Sequence, residues 1–179
     1  MFVMGVDPGL SRCGYGVVTR RRADLVAVAG GVIMTGPDVP LPERLAALAG
    51  ELRGLCEEYR PDVVAVERVF FQVNAKTAMA TGQAAGVALL AAAESGATVA
   101  LFTANEVKQA LVGYGSATKE QVQRMVASIL DLAAPPRPPD VADALALAVC
   151  HLTSEPLRRA VAAAGAGGDG PVAPDGGPR

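Results

Sequence analysis

The sequence contains few of the side chains from which zinc sites and nucleophile–histidine sites are built. Among its 179 residues there are one histidine, three cysteines and no tryptophan. Cys13, Cys56 and Cys150 are widely separated and form no C-x-x-C pair, so we expect free thiols and neither a zinc site nor a disulfide framework. The single histidine, His151, lies in a late apolar segment, which makes a Ser–His–Asp or Cys–His site the weaker interpretation.

The sequence also lacks a long apolar run. Its best candidate, residues 84–93, is rich in alanine and interrupted by Gly86, and it falls short of the roughly 20 residues that span a bilayer. The first residues show neither a basic start nor a cleavage site, which excludes a signal peptide. We therefore expect a cytoplasmic protein.

Lysine is scarce and confined to one part of the chain. The three lysines, Lys76, Lys108 and Lys119, all lie between residues 75 and 120. The net charge of −2 does not decide whether the protein binds nucleic acid, because a local basic patch matters more than the total. Hydrophobic residues make up 51% of the chain, which is enough for a folded core.

The hydrophobic pattern predicts strands first and helices later. Apolar segments at 2–7, 14–19 and 25–34, joined by short turns, indicate an antiparallel meander. Leucines at helical spacing then predict a helix that Pro61 ends: Leu41, Leu45, Leu48, Leu52 and Leu55. The short apolar run at 63–66 is typical of a buried parallel strand.

The second half of the chain is predicted to be mainly helical, with one further strand. It is predicted to contain an alanine-rich helix at 75–95, a strand at 97–102, two helices that begin at the capping boxes of Thr103 and Thr118, and a last helix at 140–152. This order predicts an α/β fold, a five-stranded mixed sheet with helices on both faces. From residue 159 the composition is mostly Ala, Gly and Pro, so we predict one domain at 1–158 and a disordered tail at 159–179.

Four carboxylates stand at the ends of these elements. Asp7 and Glu67 end two apolar strands, and Asp140 and Asp143 share one face at the start of the last helix. Each alone has an ordinary interpretation as a turn residue, an ion-pair partner or a first-turn acid. Together they would converge if the two strands are neighbours and the helix packs across them.

Converging carboxylates repel one another unless a cation lies between them. Oxygen ligands select hard ions, which favours Mg²⁺, with Mn²⁺ as a substitute. Two such ions about 4 Å apart form the arrangement that cleaves phosphodiesters. The hypothesis at this point is a metal-dependent hydrolase of phosphodiester bonds.

Four short motifs surround these carboxylates and the lysines. They are Gly5-Val6-Asp7-Pro8-Gly9 with Gly14-Tyr15-Gly16, Val66-Glu67-Arg68-Val69-Phe70, Val112-Gly113-Tyr114-Gly115-Ser116-Ala117, and Asp140-Val141-Ala142-Asp143-Ala144-Leu145-Ala146. In order and separation, over residues 1–152, they closely resemble the bacterial RuvC family of Holliday junction resolvases, or crossover junction endodeoxyribonucleases. The resemblance implies an RNase H-like fold and a homodimer. It also implies paired, Mg²⁺-dependent nicks in four-way junction DNA, in recombination and repair with a RuvA–RuvB partner.

The resemblance also suggests roles for residues. Asp7, Glu67, Asp140 and Asp143 match the family's catalytic, metal-binding acids, which would hold two Mg²⁺ ions in each site. Phe70 matches an aromatic that stacks on a junction base, and Lys108 and Lys119 match basic residues of the DNA-binding face, to which we add Lys76. From the sequence alone, Phe70 and Phe71 are equally well explained as core residues, and Lys119 as a solvated surface lysine.

The predicted helix at 75–95 has small residues on related turns, namely Ala78, Gly82, Ala85, Ala88 and Ala92. They allow close packing, either against the sheet of the same chain or, as the resemblance implies, against a second copy.

Three other functions remain open. Asp7-x-Gly9 also resembles the phosphate-binding hairpin of actin-like ATPases, whose fold needs a much longer chain. A non-catalytic junction-binding protein of the same fold would be expected to lack some of the four acids. Another RNase H-like nuclease, acting for example on RNA–DNA hybrids, would keep them.

Overall fold

The structure is a computed structural model that describes residues 1–68 and 75–165, with side chains at 1–68 and 78–155. It contains five strands, β1 (Phe2–Asp7), β2 (Arg12–Arg21), β3 (Asp24–Met34), β4 (Val63–Glu67) and β5 (Thr98–Phe102). It also contains five helices, α1 (Leu41–Tyr59), α2 (Ala75–Glu94), α3 (Ala104–Val112), α4 (Lys119–Ile129) and α5 (Pro139–Gly165). The predicted order of elements is confirmed.

The five strands form one mixed sheet in the order β3-β2-β1-β4-β5. The first three are antiparallel, as the short turns predict, while β4 runs parallel to β1 and β5 parallel to β4. The strand β1 is central, and its pairing with β4 places Val6 opposite Val66. The last residues of these two strands, Asp7 and Glu67, therefore lie at the same edge of the sheet.

Helices cover both faces of the sheet, because alternate residues of a strand point to opposite sides. Val3 and Ala65 pack with α3, α4 and α5, whereas Met4 and Val64 pack with α1 and α2. The two hydrophobic clusters confirm the predicted α/β layers.

The predicted leucine stripe of α1 is only partly buried. Leu48 and Leu52 are buried, and Cys56 completes that face. Leu41 is the first residue of the helix and is 40% exposed, because the helix begins beyond the area that packs against the rest of the chain.

The helices α3 and α4 begin as predicted. Thr103 accepts a hydrogen bond from the backbone N–H of Glu106, and Thr118 accepts one from that of Gln121, and both capping boxes are complete. Since Thr118 is the N-cap residue, Lys119 is the first residue of α4. Its position at the start of the helix is therefore fixed by local sequence.

The helix α5 lies directly on β1 and β2, because glycines face it. A Cβ at Gly5 would collide with the carbonyl of Ala144, and one at Gly16 would lie 2.7 Å from the Leu145 side chain. The helix continues to Gly165, past the predicted end at 152 and the predicted domain boundary at 158. Residues 166–179 lie outside the described part of the chain, so the division into domain and tail stays a prediction.

None of the helices, within the described residues, has the length and apolar character needed to cross a membrane.

Candidate active site

Asp7 and Glu67 form a carboxyl pair at the centre of the sheet edge. Asp7 is on the same face of β1 as Val3 and Gly5, and Glu67 is on the same face of β4 as Ala65, so both side chains point toward α5. The two carboxyls lie within reach of a side-chain hydrogen bond. The sequence-based expectation that these two strands are neighbours is confirmed.

The helices α3, α4 and α5 complete a cavity of about 430 Å³ around this pair. Its lining includes Asp7, Glu67, Asp143, Lys108 and Lys119, with apolar walls from α3, α4 and α5. Three of the four predicted acids and two of the predicted lysines, from five different elements, therefore meet in one cavity.

The electrostatics of Asp7 depend strongly on these neighbours. Burial raises the pKa of Asp7 to about 7, and the carboxylates of Glu67 and Asp143 add to the increase. Lys119 acts in the opposite direction and is the weakest contributor. Asp7 therefore keeps its proton up to nearly neutral pH, where it begins to ionise, and an additional positive charge in the cavity would favour its ionised form.

Asp143 and Lys119 form an ion pair across the cavity. The lysine Nζ lies 2.5 Å from Oδ2 of Asp143, and this contact raises the pKa of Lys119. Lys119 was predicted as a DNA contact, and its 58% exposed side chain also leaves it accessible from the surface.

Asp140 is turned toward a residue that the sequence analysis did not select. Arg12, at the start of β2, donates from Nε to Oδ1 at 3.3 Å and from Nη2 to Oδ2 at 2.8 Å, which lowers the pKa of Asp140. Asp140 is not among the described residues that line the cavity. A signal for Arg12 did exist, because the short connection after Asp7 places the start of an antiparallel strand at the same edge of the sheet.

Within the described residues, no three acidic, histidine or cysteine side chains lie in positions that could hold a metal ion. The physical reason is that Arg12 and Lys119 orient the two acids of α5. The donor set still fits a hard cation, since all four candidates are carboxylates and the half-buried Asp7 pairs with another acid. Asp140 and Asp143 each contact a protein cation, which a metal ion would have to displace if these acids were its ligands.

Other predicted residues lie elsewhere or cannot be placed. Phe70 lies outside the described residues, and Lys76 belongs to α2 with its side chain outside them. The three cysteines, all within the described residues, are buried and form no disulfide. His151 contacts the ring of Phe102 edge-on, with centroids 6.1 Å apart, and is not among the residues that line the cavity.

The arrangement combines oxygen ligands with cations that suit a phosphodiester. Carboxylates at the floor can bind a divalent metal, and lysines at the wall can contact phosphate oxygens. No histidine or cysteine lines this cavity among the described residues.

Comparisons with known proteins identify the family of this chain. The family model for the crossover junction endodeoxyribonuclease RuvC matches residues 3–151. The RuvC of Leifsonia xyli subsp. xyli is 48% identical over 174 residues, covering 96% of this chain and 83% of the relative. The structure of Thermus thermophilus RuvC superposes with a TM-score of 0.82 at 38% identity, covering 88% of this chain and 97% of that one.

A second structure, described as Thermus thermophilus RuvC in complex with a Holliday junction substrate, matches with a TM-score of 0.80 at 37% identity, covering 88% of this chain and 96% of that one. The expected RNase H-like fold is confirmed. Nucleases of this family are metal-dependent. With most of its length matched by the family model and by relatives of this similarity, the chain belongs to the RuvC family of crossover junction endodeoxyribonucleases.

Proposed function

We propose that this protein is a structure-selective endonuclease that resolves four-way DNA junctions by paired symmetric nicks during recombination and repair. The observation that carries the proposal is the pairing of half-buried Asp7 with Glu67 in a cavity that also contains Lys108 and Lys119. The substrate class is supported by the family and by the printed description of the Thermus thermophilus complex with a Holliday junction.

Asp7, Glu67, Asp140 and Asp143 are the proposed ligands of Mg²⁺, with two ions per site and Mn²⁺ as a substitute. The metal supplies a water of lowered pKa and neutralises charge on the leaving oxygen. Burial of Asp7 and its contact with Glu67 support this assignment, since their mutual repulsion is relieved by a cation. The family's metal dependence supports it independently.

The remaining residues of the cavity would bind and orient the DNA strand. Lys108 and Lys119 line the same cavity as the carboxyl pair, and each can contact phosphate oxygens through charge-assisted hydrogen bonds. Hydrolysis of the P–O3′ bond leaves a 5′-phosphate and a 3′-hydroxyl. Phe70 stays a proposed DNA contact on the family resemblance alone, and Lys76 stays one because it lies in the same stretch of the chain as the other two lysines.

A homodimer is proposed through the outer face of α2. Of the small residues predicted for this helix, Ala78, Ala85, Ala88 and Ala92 are buried within the chain. The exposed face instead carries Met79 and Leu90, which are 64% and 51% exposed, with Gly82 and Gly86 between them. Exposed apolar residues beside glycines suit close packing against a second helix. A twofold dimer places two sites on one junction.

Coupling to a RuvA–RuvB branch-migration complex and a cytoplasmic location are proposed by analogy with the family. A nuclease domain at 1–158 followed by a tail at 159–179 is proposed from the change in composition along the chain.

The proposal is tested by comparing a synthetic four-way junction with an RNA–DNA hybrid in Mg²⁺. We expect symmetric nicks in the junction, with ends that a ligase rejoins, and no cleavage of the hybrid. Asp7→Asn should bind the junction as wild type does but not cut it. Cleavage of the hybrid alone would indicate another RNase H-like nuclease, and binding without cleavage by the wild type would indicate a non-catalytic junction-binding protein.

A further inference from the structure

Arg12 holds one of the proposed metal ligands away from the cavity. Its guanidinium contacts both carboxylate oxygens of Asp140, at 3.3 Å and 2.8 Å. Two parallel hydrogen bonds from one guanidinium fix the plane of a carboxylate as well as its position. Asp140 is 22% exposed and Arg12 is 43% exposed, so the pair is accessible to solvent, and Asp140 precedes the cavity-lining Asp143 by three residues in α5.

The backbone of β2 makes this pairing possible. Gly14 is on the same face of the strand as Arg12, and a Cβ there would collide with the carbonyl of Asp140 and lie 3.2 Å from its Cβ. Asp140 therefore rests against bare backbone, and the arginine side chain reaches along the strand to its carboxylate.

A second arginine on this face provides a natural comparison. At the far end of β2, Arg20 donates from Nη2 to the carbonyl of Leu152 at 2.8 Å. Both arginines therefore join β2 to α5. Arg20 contacts a backbone carbonyl away from the cavity, whereas Arg12 contacts a carboxylate that the proposed function needs.

We propose that Arg12 is a positioning residue that competes with the divalent metal for Asp140, holding this carboxylate in the metal-free protein and yielding it when metal binds. The inference rests on the proposed metal-dependent function, because that function makes a metal ion the second partner of Asp140, besides Arg12. Two cations that share one carboxylate repel each other, so the guanidinium contacts must weaken as the metal gains the oxygens.

The competition predicts the sign of the effect of removing Arg12. Without the guanidinium, the metal has no competitor for Asp140 and one fewer positive charge beside it, and both changes tighten metal binding. A residue that merely supported the structure would have the opposite effect, since a loosened Asp140 would bind metal less well. Exposed ion pairs contribute little, so we expect an effect of about two- to fivefold.

The test is calorimetric titration of the DNA-free protein with Mn²⁺. Arg12→Gln should lower the Kd for Mn²⁺ about two- to fivefold, Arg12→Lys should keep it near the wild-type value, and Arg20→Gln should leave it unchanged. Circular dichroism reports whether each variant is folded, and Arg12→Ala replaces Arg12→Gln if the latter is not. An unchanged or higher Kd in the folded Arg12 variant overturns the inference.

A double-mutant cycle tests whether the effect passes through Asp140. In the Asp140→Asn background, the Arg12 substitution should no longer tighten Mn²⁺ binding, because the contested carboxylate is gone. If the Arg12 substitution still lowers the Kd for Mn²⁺ in the Asp140→Asn background, the inference is overturned.

Asp7→Asn separates this inference from the proposed function. If wild type binds Mn²⁺ no better than Asp7→Asn, the metal-dependent function fails and the role of Arg12 fails with it. If binding depends on Asp7 but is not tightened by loss of Arg12, only the inference about Arg12 fails.

Discussion

Lys119 and Asp143 join the first residue of α4 to the first half of α5 across the cavity, with Nζ of the lysine 2.5 Å from Oδ2 of the aspartate. A lysine at the start of a helix is disfavoured by the helix dipole by a few tenths of a kcal/mol. The contact with Asp143 offsets this cost, and it keeps a cation beside the carboxyl pair. A bound phosphate would use both this cation and the N–H groups at the start of the helix.

We predict that Lys119→Ala weakens junction binding and lowers the steepness of its salt dependence by about one unit in the log–log plot. The reason is that one phosphate contact, and the counterion it displaces, is lost. Fluorescence anisotropy with a labelled junction at several salt concentrations, in Ca²⁺, measures the slope. Arg53→Ala is the control, since Arg53 pairs with Glu94 and is not among the residues that line the cavity. An unchanged slope for Lys119→Ala would remove it from the phosphate contacts.

The pKa of Asp7 predicts how stability depends on pH in metal-free protein. Its folded pKa of about 7 lies above the value of 3.8 that is ordinary for an aspartate, so between these values the folded chain holds a proton that the unfolded chain has lost. The free energy of unfolding should therefore fall as pH rises from about 4 to about 7, by up to about 4 kcal/mol from this group. Urea denaturation in EDTA at pH 5 and pH 8 measures the fall.

Asp7→Asn is the control, and it should remove this part of the pH dependence while raising stability at pH 8. At pH 8, added Mg²⁺ should raise the free energy of unfolding of the wild type but not that of the variant. Identical pH profiles for the two proteins would show that Asp7 ionises normally.

The contact of Gly5 with α5 predicts that a single methyl group disturbs the site. Gly5→Ala should lower the free energy of unfolding by about 1–3 kcal/mol and reduce junction cleavage, since a Cβ at this position meets the backbone of Ala144. The matched control is Gly50→Ala in α1, where an added Cβ has no other atom within 4 Å. This substitution should stabilise the helix by up to about 1 kcal/mol. Wild-type stability and cleavage in Gly5→Ala would contradict the close packing of α5.

The outer face of α2 predicts which residue controls the oligomeric state. Leu90→Glu should convert the dimer to monomers, because a charge would be buried against the second copy. Light scattering coupled to size-exclusion chromatography measures the mass. Val28→Glu on β3, where the side chain is 40% exposed, should stay dimeric. A monomeric wild type, or a dimeric Leu90→Glu, would rule out this interface.

Much of the site could be predicted from local sequence. Apolar runs that end in Asp7 and Glu67 indicated two strand ends, and the capping box of Thr118 placed Lys119 at the start of a helix. These signals depend on residues close together in the chain, where the periods of strands and helices are reliable. The family motifs supplied the order in which the acids occur.

The partners of the α5 acids were not predictable in this way. Arg12 and Asp140 are 128 residues apart, and their contact depends on the pairing of β2 beside β1 and on the glycine that lets α5 approach. The sequence also left open what the small residues of α2 pack against. These residues pack mainly within the chain, and the exposed face is marked instead by Met79 and Leu90.

The bare backbone beneath α5 has a consequence for how this protein tolerates genetic variation. In a library of random single substitutions selected for junction cutting, Gly5, Gly14 and Gly16 should be as intolerant as Asp7, although none of them bears a reactive group. A Cβ added to any of the three would collide with the backbone or a side chain of α5. The intolerant positions would therefore follow β1 and β2 where these strands lie under α5. Part of the catalytic centre would be detected through residues that have no side chain.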